Sequence, residues 1–268
     1  MILSSDYLII VNYYKIFILS NKFIMTDKKS YYIFGTHASL AALNNPLRVI
    51  RYIYCTESCF LSLSKSIQKH NYKIVTTNFL HQLLGRQIVH QGIAVNTIPL
   101  TINGIKNIDL NTPNYKIAIL DQLLDHNNLG AIIRSAAAFD ISTIILPENN
   151  SIEENGTIAK IAVGALEKIN LVKVKNLYNT INYLKKHGFW IIGLDLNNSN
   201  QLTEQTFHSK MAFVLGSENK GLRNLTRQQC DFLIKIPMSH KTESLNVAGA
   251  ATIIFYESFK FSIKQQFK

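Results

Sequence analysis

The 268-residue chain is short of cysteine, of acidic side chains and of long apolar runs, and each shortage removes a class of protein. Its three cysteines, Cys55, Cys59 and Cys230, are odd in number and form no C-x-x-C pair, so neither a disulfide framework nor a zinc site is expected. A reducing cytoplasm suits such a chain. The eight histidines are scattered without H-E-x-x-H or a related ligand spacing, and no metal is expected. No stretch reaches the roughly 18 apolar residues of a membrane span. The N-terminal runs Tyr7-Leu8-Ile9-Ile10-Val11 and Lys15-Ile16-Phe17-Ile18-Leu19 are broken by Asn12, Lys15, Asn21 and Lys22, and no small-residue cleavage site follows a basic start. Residues 1–30 therefore read as an extension, with Met25 standing just before the first ordered pattern and residues 1–24 expected to be dispensable or a mis-assigned start. A membrane-associating amphipathic leader is the alternative there, and no stable membrane association is expected of the rest.

The shortage of acid matters most. Seventeen Asp and Glu face 28 Lys and Arg, a formal charge of +11, which favours a polyanionic partner without choosing between nucleic acid and a membrane surface. An AT-rich genome also produces this abundance of Ile, Asn, Lys and Tyr, so charge alone does not decide. Hydrophobic residues make up 47% and charged ones 17%, the balance of a fully folded chain long enough for one large domain or two modest ones. No internal repeat or low-complexity tract is present.

Residues 31–99 carry short alternating helix and strand patterns: a helix beginning near Gly35 or Thr36, strands near 49–54, 72–75 and 92–95, helices near 61–70 and 79–84. Residues 100–114 are polar and punctuated by Gly104 and Pro113, the pattern of a linker. From 115 to 268 strand patterns recur at 117–121, 142–146, 171–174, 189–194, 211–215 and 232–236, with helices expected at 158–168 and 177–187. Such βα alternation implies a mainly parallel α/β sheet covered on both faces. Periodicity alone would leave it unknotted.

Three stretches of this part share one character, polar residues delivered at the carboxyl edge of the sheet, where open α/β folds bind ligands. The first runs from Ile117-Ala118-Ile119-Leu120-Asp121 into a helix with Asn128 and Arg134. The second leads from Ala212-Phe213-Val214-Leu215 into Gly216, Glu218, Gly221 and Arg223. The third passes through Ile236-Pro237-Met238 to Ser244-Leu245-Asn246-Val247-Ala248-Gly249, where Ser244 or Asn246 can cap a helix and small residues allow close packing. The first strand is not followed by G-x-G-x-x-G, which argues against a nicotinamide dehydrogenase.

Taken together, these stretches resemble the three motifs of the SpoU class of RNA ribose 2′-O-methyltransferases, in the SPOUT superfamily. Over roughly 140 residues, three motifs in the right order are a specific signal, whereas any one alone is weak. Phe34-Gly35-Thr36-His37-Ala38 and His90-Gln91-Gly92-Ile93-Ala94-Val95 resemble the small substrate-binding domain that precedes the catalytic domain in rRNA-modifying members. His126 stands where many relatives have proline. The resemblance implies a SPOUT-type domain at 115–268 with a C-terminal trefoil knot, a homodimer, and an RNA substrate. It also implies S-adenosyl-L-methionine held by Gly216, Ile236, Met238 and Leu245, with Arg134, Asn128, Glu218, Ser244 and Asn246 doing the chemistry. An arginine keeps its proton in a protein. Arg134 is thus expected to clamp a phosphate and stabilise the developing alkoxide, not to act as a base. The expected target is a guanosine of 23S rRNA, with tRNA as the alternative and a catalytically silent RNA-binding module as the competing class. His37, His90, Tyr52 and Tyr54 are candidate RNA contacts, and equally candidate local hydrogen-bonding and packing groups.

Overall fold

The computed structural model describes residues 29–149, 152–196, 207–217 and 221–266. The chain divides into two compact units, with the boundary between Leu100 and Thr101. The N-terminal extension up to residue 28 lies outside the described residues.

In the first unit, strands β1 (Tyr31–Phe34), β2 (Ile50–Cys55), β3 (Tyr72–Ile74) and β4 (Ile93–Thr97) form a sheet in the order β1-β4-β2-β3. β4 runs antiparallel to β1 and β2, and β3 is parallel to β2. Alternation fixes the buried face: Val95 is paired with both Ile33 and Ile53, and all three are fully buried. Helices α1 (Thr36–Asn44), α2 (Glu57–Ile67) and α3 (Thr77–Leu84) connect the strands. Thr56 caps α2 and Thr76 caps α3, each side chain accepting a backbone N–H of the first turn, as a residue that reads out of an extended segment into a helix should. The strand at Tyr31–Phe34 was not separable in the sequence from the helix that follows it. Gly35, with φ +87°, makes the turn between them.

Among the described residues the second unit carries seven strands: β5 (Ile102–Asn103), β6 (Tyr115–Leu120), β7 (Thr143–Pro147), β8 (Asn170–Val174), β9 (Trp190–Leu194), β10 (Lys210–Leu215) and β11 (Phe232–Ile234). Their order is β11-β9-β10-β6-β7-β8-β5, and every pairing is parallel. Every residue of β6 is buried, as a parallel sheet covered on both faces requires. Helices α4 (His126–Ala138), α5 (Gly156–Ala162), α6 (Leu177–Lys186), α7 (Asn224–Gln228) and α8 (Val247–Gln266) complete the unit. On one side Ile117, Ile119 and Val214 share a core with Leu177, Ile181 and Leu184 of α6. On the other, Phe213 meets Phe255 of α8 at 6.0 Å between ring centroids. The path from the edge strand β11 back to α8, packed on α4, is consistent with the knot that the resemblance implies.

Two stretches differ from their sequence pattern. The helix expected over 158–168 stops at Ala162, because Val163 and Gly164 both take left-handed backbone angles, and a short 3-10 turn (Ala165–Lys168) follows. The polar stretch 100–114 is not merely a tether. Ile102–Asn103 pairs with β8, and Ile105 and Leu110 enter the core, so the apolar residues spaced through it outweigh its Gly and Pro punctuation.

Candidate active site

The strand ends position the site. At the carboxyl edge of β9, β10 and β11 a cleft of about 410 Å³ opens between the loop after β10 and the start of α8. Leu194, Leu215, Leu222, Ile234 and Val247 give it apolar walls, and Gly216, Ile236, Met238, Ser244 and Leu245 all line it. The structure thus brings together the four residues expected to hold a cofactor and one of those expected to do chemistry. Asp195, at the end of β9, also lines the cleft and is ion-paired with Arg227 at 2.6 Å. Sequence reasoning did not single it out, although an acid directly after an apolar strand is the pattern that could have.

Gly216 is required by the fold itself. A Cβ there would sit 2.1 Å from the carbonyl carbon of Gly221 and 2.4 Å from the nitrogen of Leu222, both backbone atoms that cannot turn aside. The chain doubles back at this point: Ser217 N donates to Gly221 O at 3.2 Å and Gly221 N to Ser217 O at 2.9 Å. The missing side chain of Gly216 is therefore room for the protein's own backbone. Gly249 is different. A Cβ there would meet nothing within 4 Å, so no neighbouring backbone needs its smallness. The close helix contact is made instead by Gly130 of α4, where a Cβ would lie 2.7 Å from Cβ of Ile161.

The loop is anchored to the sheet by a buried charge. Asp121, fully buried at the end of β6, pairs with Arg223, whose Nη2 is 2.7 Å from Oδ1 and whose Nε donates to Oδ2 at 3.0 Å. Thr226 Oγ1 is a second donor to the same Oδ2, at 2.8 Å. A carboxylate taken out of water must be paired and hydrogen-bonded to be tolerated, and this one is.

Two helix N-termini converge beside the cleft. Asn246 is the effective cap of α8, its Oδ1 accepting from Ala248 N at 2.8 Å, while Ser244 offers its backbone oxygen to Thr242 and no cap. The Nδ2 of the same Asn246 donates to Oδ1 of the buried Asn128 at 3.0 Å. About two turns further along both helices Ser135 Oγ and Thr252 Oγ1 share a hydrogen bond of 2.7 Å, so α4 and α8 run in the same direction. Their positive dipole ends open at one edge, a setting that favours an anion or a developing negative oxygen.

Arg134 follows on α4 next to Ser135, off the face that binds α8. Its side chain is exposed, and among the described residues it makes no ion pair. Glu218 lies outside the described residues. Burial pushes the Cys230 thiol up to about 12 and the Cys55 thiol up to about 11, where the nearby Cys59 adds to the effect of burial. Cys59 is raised by burial as well. Neutral, buried thiols are poor nucleophiles. In the first unit His90 is buried and accepts from Gly92 N through Nδ1 at 3.0 Å, a local role, whereas His37 is exposed. Tyr52 and Tyr54 are half-buried and lie 5.0 Å apart, ring to ring.

Residues 116–256, more than half the chain, match the SpoU rRNA Methylase family, and residues 32–101 match a family described as RNA 2′-O ribose methyltransferase substrate binding. A protein of Staphylococcus saprophyticus with a provisional TrmH family tRNA/rRNA methyltransferase name is 40% identical over 144 residues, 54% of this chain and 58% of that one. The match thus spans little more than half the length of such relatives. Among solved structures, the SpoU methyltransferase AviRb from Streptomyces viridochromogenes, in complex with AdoMet, superposes with a TM-score of 0.77 at 19% identity, over 87% of this chain and 91% of that one. An rRNA methyltransferase from Sinorhizobium meliloti gives 0.75 at 20% identity, over 87% and 88%.

Proposed function

The chain belongs to the SpoU rRNA methylase family, and from that premise we propose that it transfers a methyl group from S-adenosyl-L-methionine to a ribose 2′-hydroxyl of structured RNA. The observation that carries this reading is a convergence. One apolar cleft gathers Gly216, Ile236, Met238, Ser244 and Leu245, and the adjoining Asn246 is bonded to Asn128 on the helix that bears Arg134. The cleft has the volume and apolar lining of a small-molecule site and suits a flat base held against backbone.

S-adenosyl-L-methionine would supply an electrophilic methyl on a sulfonium, and the protein's part is positioning. The 2′-oxygen becomes more negative as it attacks, and its proton must leave. Arg134, exposed about two turns into α4, holds a phosphate of the target nucleotide in its planar fork and stabilises that charge. The proton goes to water or a phosphate oxygen. Asn128 and Asn246 fix the two helix starts relative to each other, Ser244 presents its hydroxyl at the cleft mouth, and Glu218 orients Arg134.

The first unit, which matches a substrate-binding family, delivers the RNA, and the target in this reading is a guanosine of 23S rRNA, as the resemblance to rRNA-modifying members with such an appended domain implies. The name shared by the curated relatives keeps tRNA as the alternative. The net charge of +11 suits either. Among the described residues no helix is long and apolar enough to cross a membrane, and we place the protein in the cytoplasm with its RNA. It acts as a homodimer through the second unit, where Tyr256 and Ile263 of α8 are exposed beside Phe139 and Phe259. Light scattering that gives a mass near 30.4 kDa at micromolar concentration would oppose the dimer.

Ribose-methylation mapping of 23S rRNA and tRNA from a strain lacking the gene tests the target. Loss of one methylated guanosine in 23S rRNA supports the reading, loss in tRNA moves it to the alternative, and no loss together with no transfer in vitro leaves a silent RNA-binding module.

A further inference from the structure

A second hollow, of about 370 Å³, opens at the carboxyl ends of β6, β7 and β8, on the other side of the loop that walls the cofactor cleft. Gln122, Asn149, Lys175, Tyr178, Arg223 and Leu225 are among its lining residues, and among the described residues none of the lining side chains is acidic. Cations without acids are a surface for phosphate.

Arg223 is already aimed. Its Nε–H donates to Oδ2 of the buried Asp121 and its Nη2 is ion-paired with Oδ1 at 2.7 Å, which fixes the plane of the guanidinium, and the side chain is still 48% exposed. A guanidinium held from behind by a carboxylate loses little freedom when it binds an anion in front, so its remaining donors are pre-organised. Lys175 adds a second exposed cation directly after β8. Tyr178 is 46% exposed and Leu225 69%, an aromatic and an apolar surface that water covers poorly. Gln122 takes a left-handed backbone angle, φ +64°, unusual for a residue with a side chain and a form of strain that collects at functional positions. Amides, a ring and two cations are what a single unpaired nucleotide needs: edge contacts, stacking and a phosphate clamp.

We propose that this hollow binds one unpaired nucleotide of the RNA substrate, flanking the target, with its phosphate on Arg223 and Lys175 and its base on Tyr178. The inference rests on the methyltransferase reading above. It is tested with Lys175→Ala and Tyr178→Ala, two exposed positions whose loss leaves the Asp121–Arg223 pair intact, using transcribed, unmodified 23S rRNA as the probe. Each variant is expected to bind that RNA about tenfold more weakly, Lys175→Ala with a salt slope shallower by about one, while S-adenosyl-L-methionine titrates as in wild type. RNA affinity within twofold of wild type for the double variant overturns the hollow, whether or not wild type methylates. Wild type that binds but never methylates, with the variants still weakened, overturns the enzymatic reading and leaves the hollow standing as an RNA site.

Discussion

Substituting Gly216 with alanine, and Gly249 with alanine as its counterpart, tests the geometry of the cleft most directly, because the two changes add the same methyl group and should act in opposite directions. At Gly216 the new Cβ would lie 2.1 Å from the carbonyl carbon and 2.2 Å from the oxygen of Gly221, and 2.4 Å from Leu222 N. Relief requires the loop to move by about 1 Å or more, since ordinary contact begins near 3.4 Å. That movement breaks the two Ser217–Gly221 backbone hydrogen bonds and pulls on the Arg223 anchor. Overpacking alone costs about 1–3 kcal/mol. The lost hydrogen bonds add about 1 kcal/mol each, so a loss of about 3–5 kcal/mol is expected. The same shift narrows the cleft and should weaken S-adenosyl-L-methionine at least tenfold, about 1.4 kcal/mol. Gly249 lies within the first turns of α8 with open space around it, and alanine there should stabilise by up to about 1 kcal/mol through helix propensity. Urea unfolding and calorimetric titration of the cofactor measure both. A Gly216→Ala protein as stable as wild type with unchanged cofactor affinity would refute the packing argument, since no rotamer change can make room against backbone.

Arg134→Ala should slow single-turnover methyl transfer by roughly 10² or more with cofactor affinity unchanged, since loss of one such donor costs about 3 kcal/mol in the transition state; transfer within threefold of wild type removes Arg134 from the mechanism. Arg134→Lys should recover little, because an ammonium lacks the planar fork. Arg223→Ala leaves a fully buried Asp121 without its ion pair and should destabilise the protein by about 3 kcal/mol in urea unfolding, with Asp121→Asn less costly than Arg223→Ala. Alkaline stability follows from the thiols: Cys55 and Cys230 keep their protons in the folded chain up to about 11 and about 12, while the unfolded chain releases them near the ordinary value of 9.0. Stability should therefore be flat with respect to these groups below pH 9 and fall as pH rises above it, with Cys230→Ala reducing the fall and Lys116, whose pKa burial lowers, opposing it. A loss of stability above pH 9 that Cys230→Ala leaves unchanged would show that another group controls it.

The sheet was readable because its strands are buried on both faces and so appear as short apolar runs bounded by polar turns, which is why the six strand patterns of the larger unit all became strands. β5 was not readable: two residues long, with only Ile102 apolar, it is held by pairing with β8, a contact far away in the chain. The same limit applies to the site. Gly216, Ile236, Met238, Ser244 and Leu245 could be named from local motifs, but neither the Asn128–Asn246 bond nor the Asp121–Arg223 anchor has a local signature, because each joins residues more than 100 positions apart.

Those two long-range links also join the three motif stretches to one another in space. Asn246 uses one amide for two tasks, its oxygen capping α8 and its nitrogen holding Asn128, so the start of the last helix is registered against the helix that carries Arg134. Asp121, at the end of the central strand, does the same for the loop beginning at Gly216. Removing the Asn246 side chain should therefore separate the two effects of position and of capping. Asn246→Asp keeps the cap oxygen but cannot donate to Asn128 and sets a charge against its oxygen, whereas Asn246→Ala loses both. If registration matters for turnover, Asn246→Asp should fold nearly as well as wild type and still transfer methyl at least tenfold more slowly, while Asn246→Ala loses about 1 kcal/mol of stability in addition. Turnover that follows stability alone, high in Asn246→Asp and low only in Asn246→Ala, would reduce Asn246 to a helix cap and leave the alignment of α4 with α8 to the Ser135–Thr252 hydrogen bond and the packing around it.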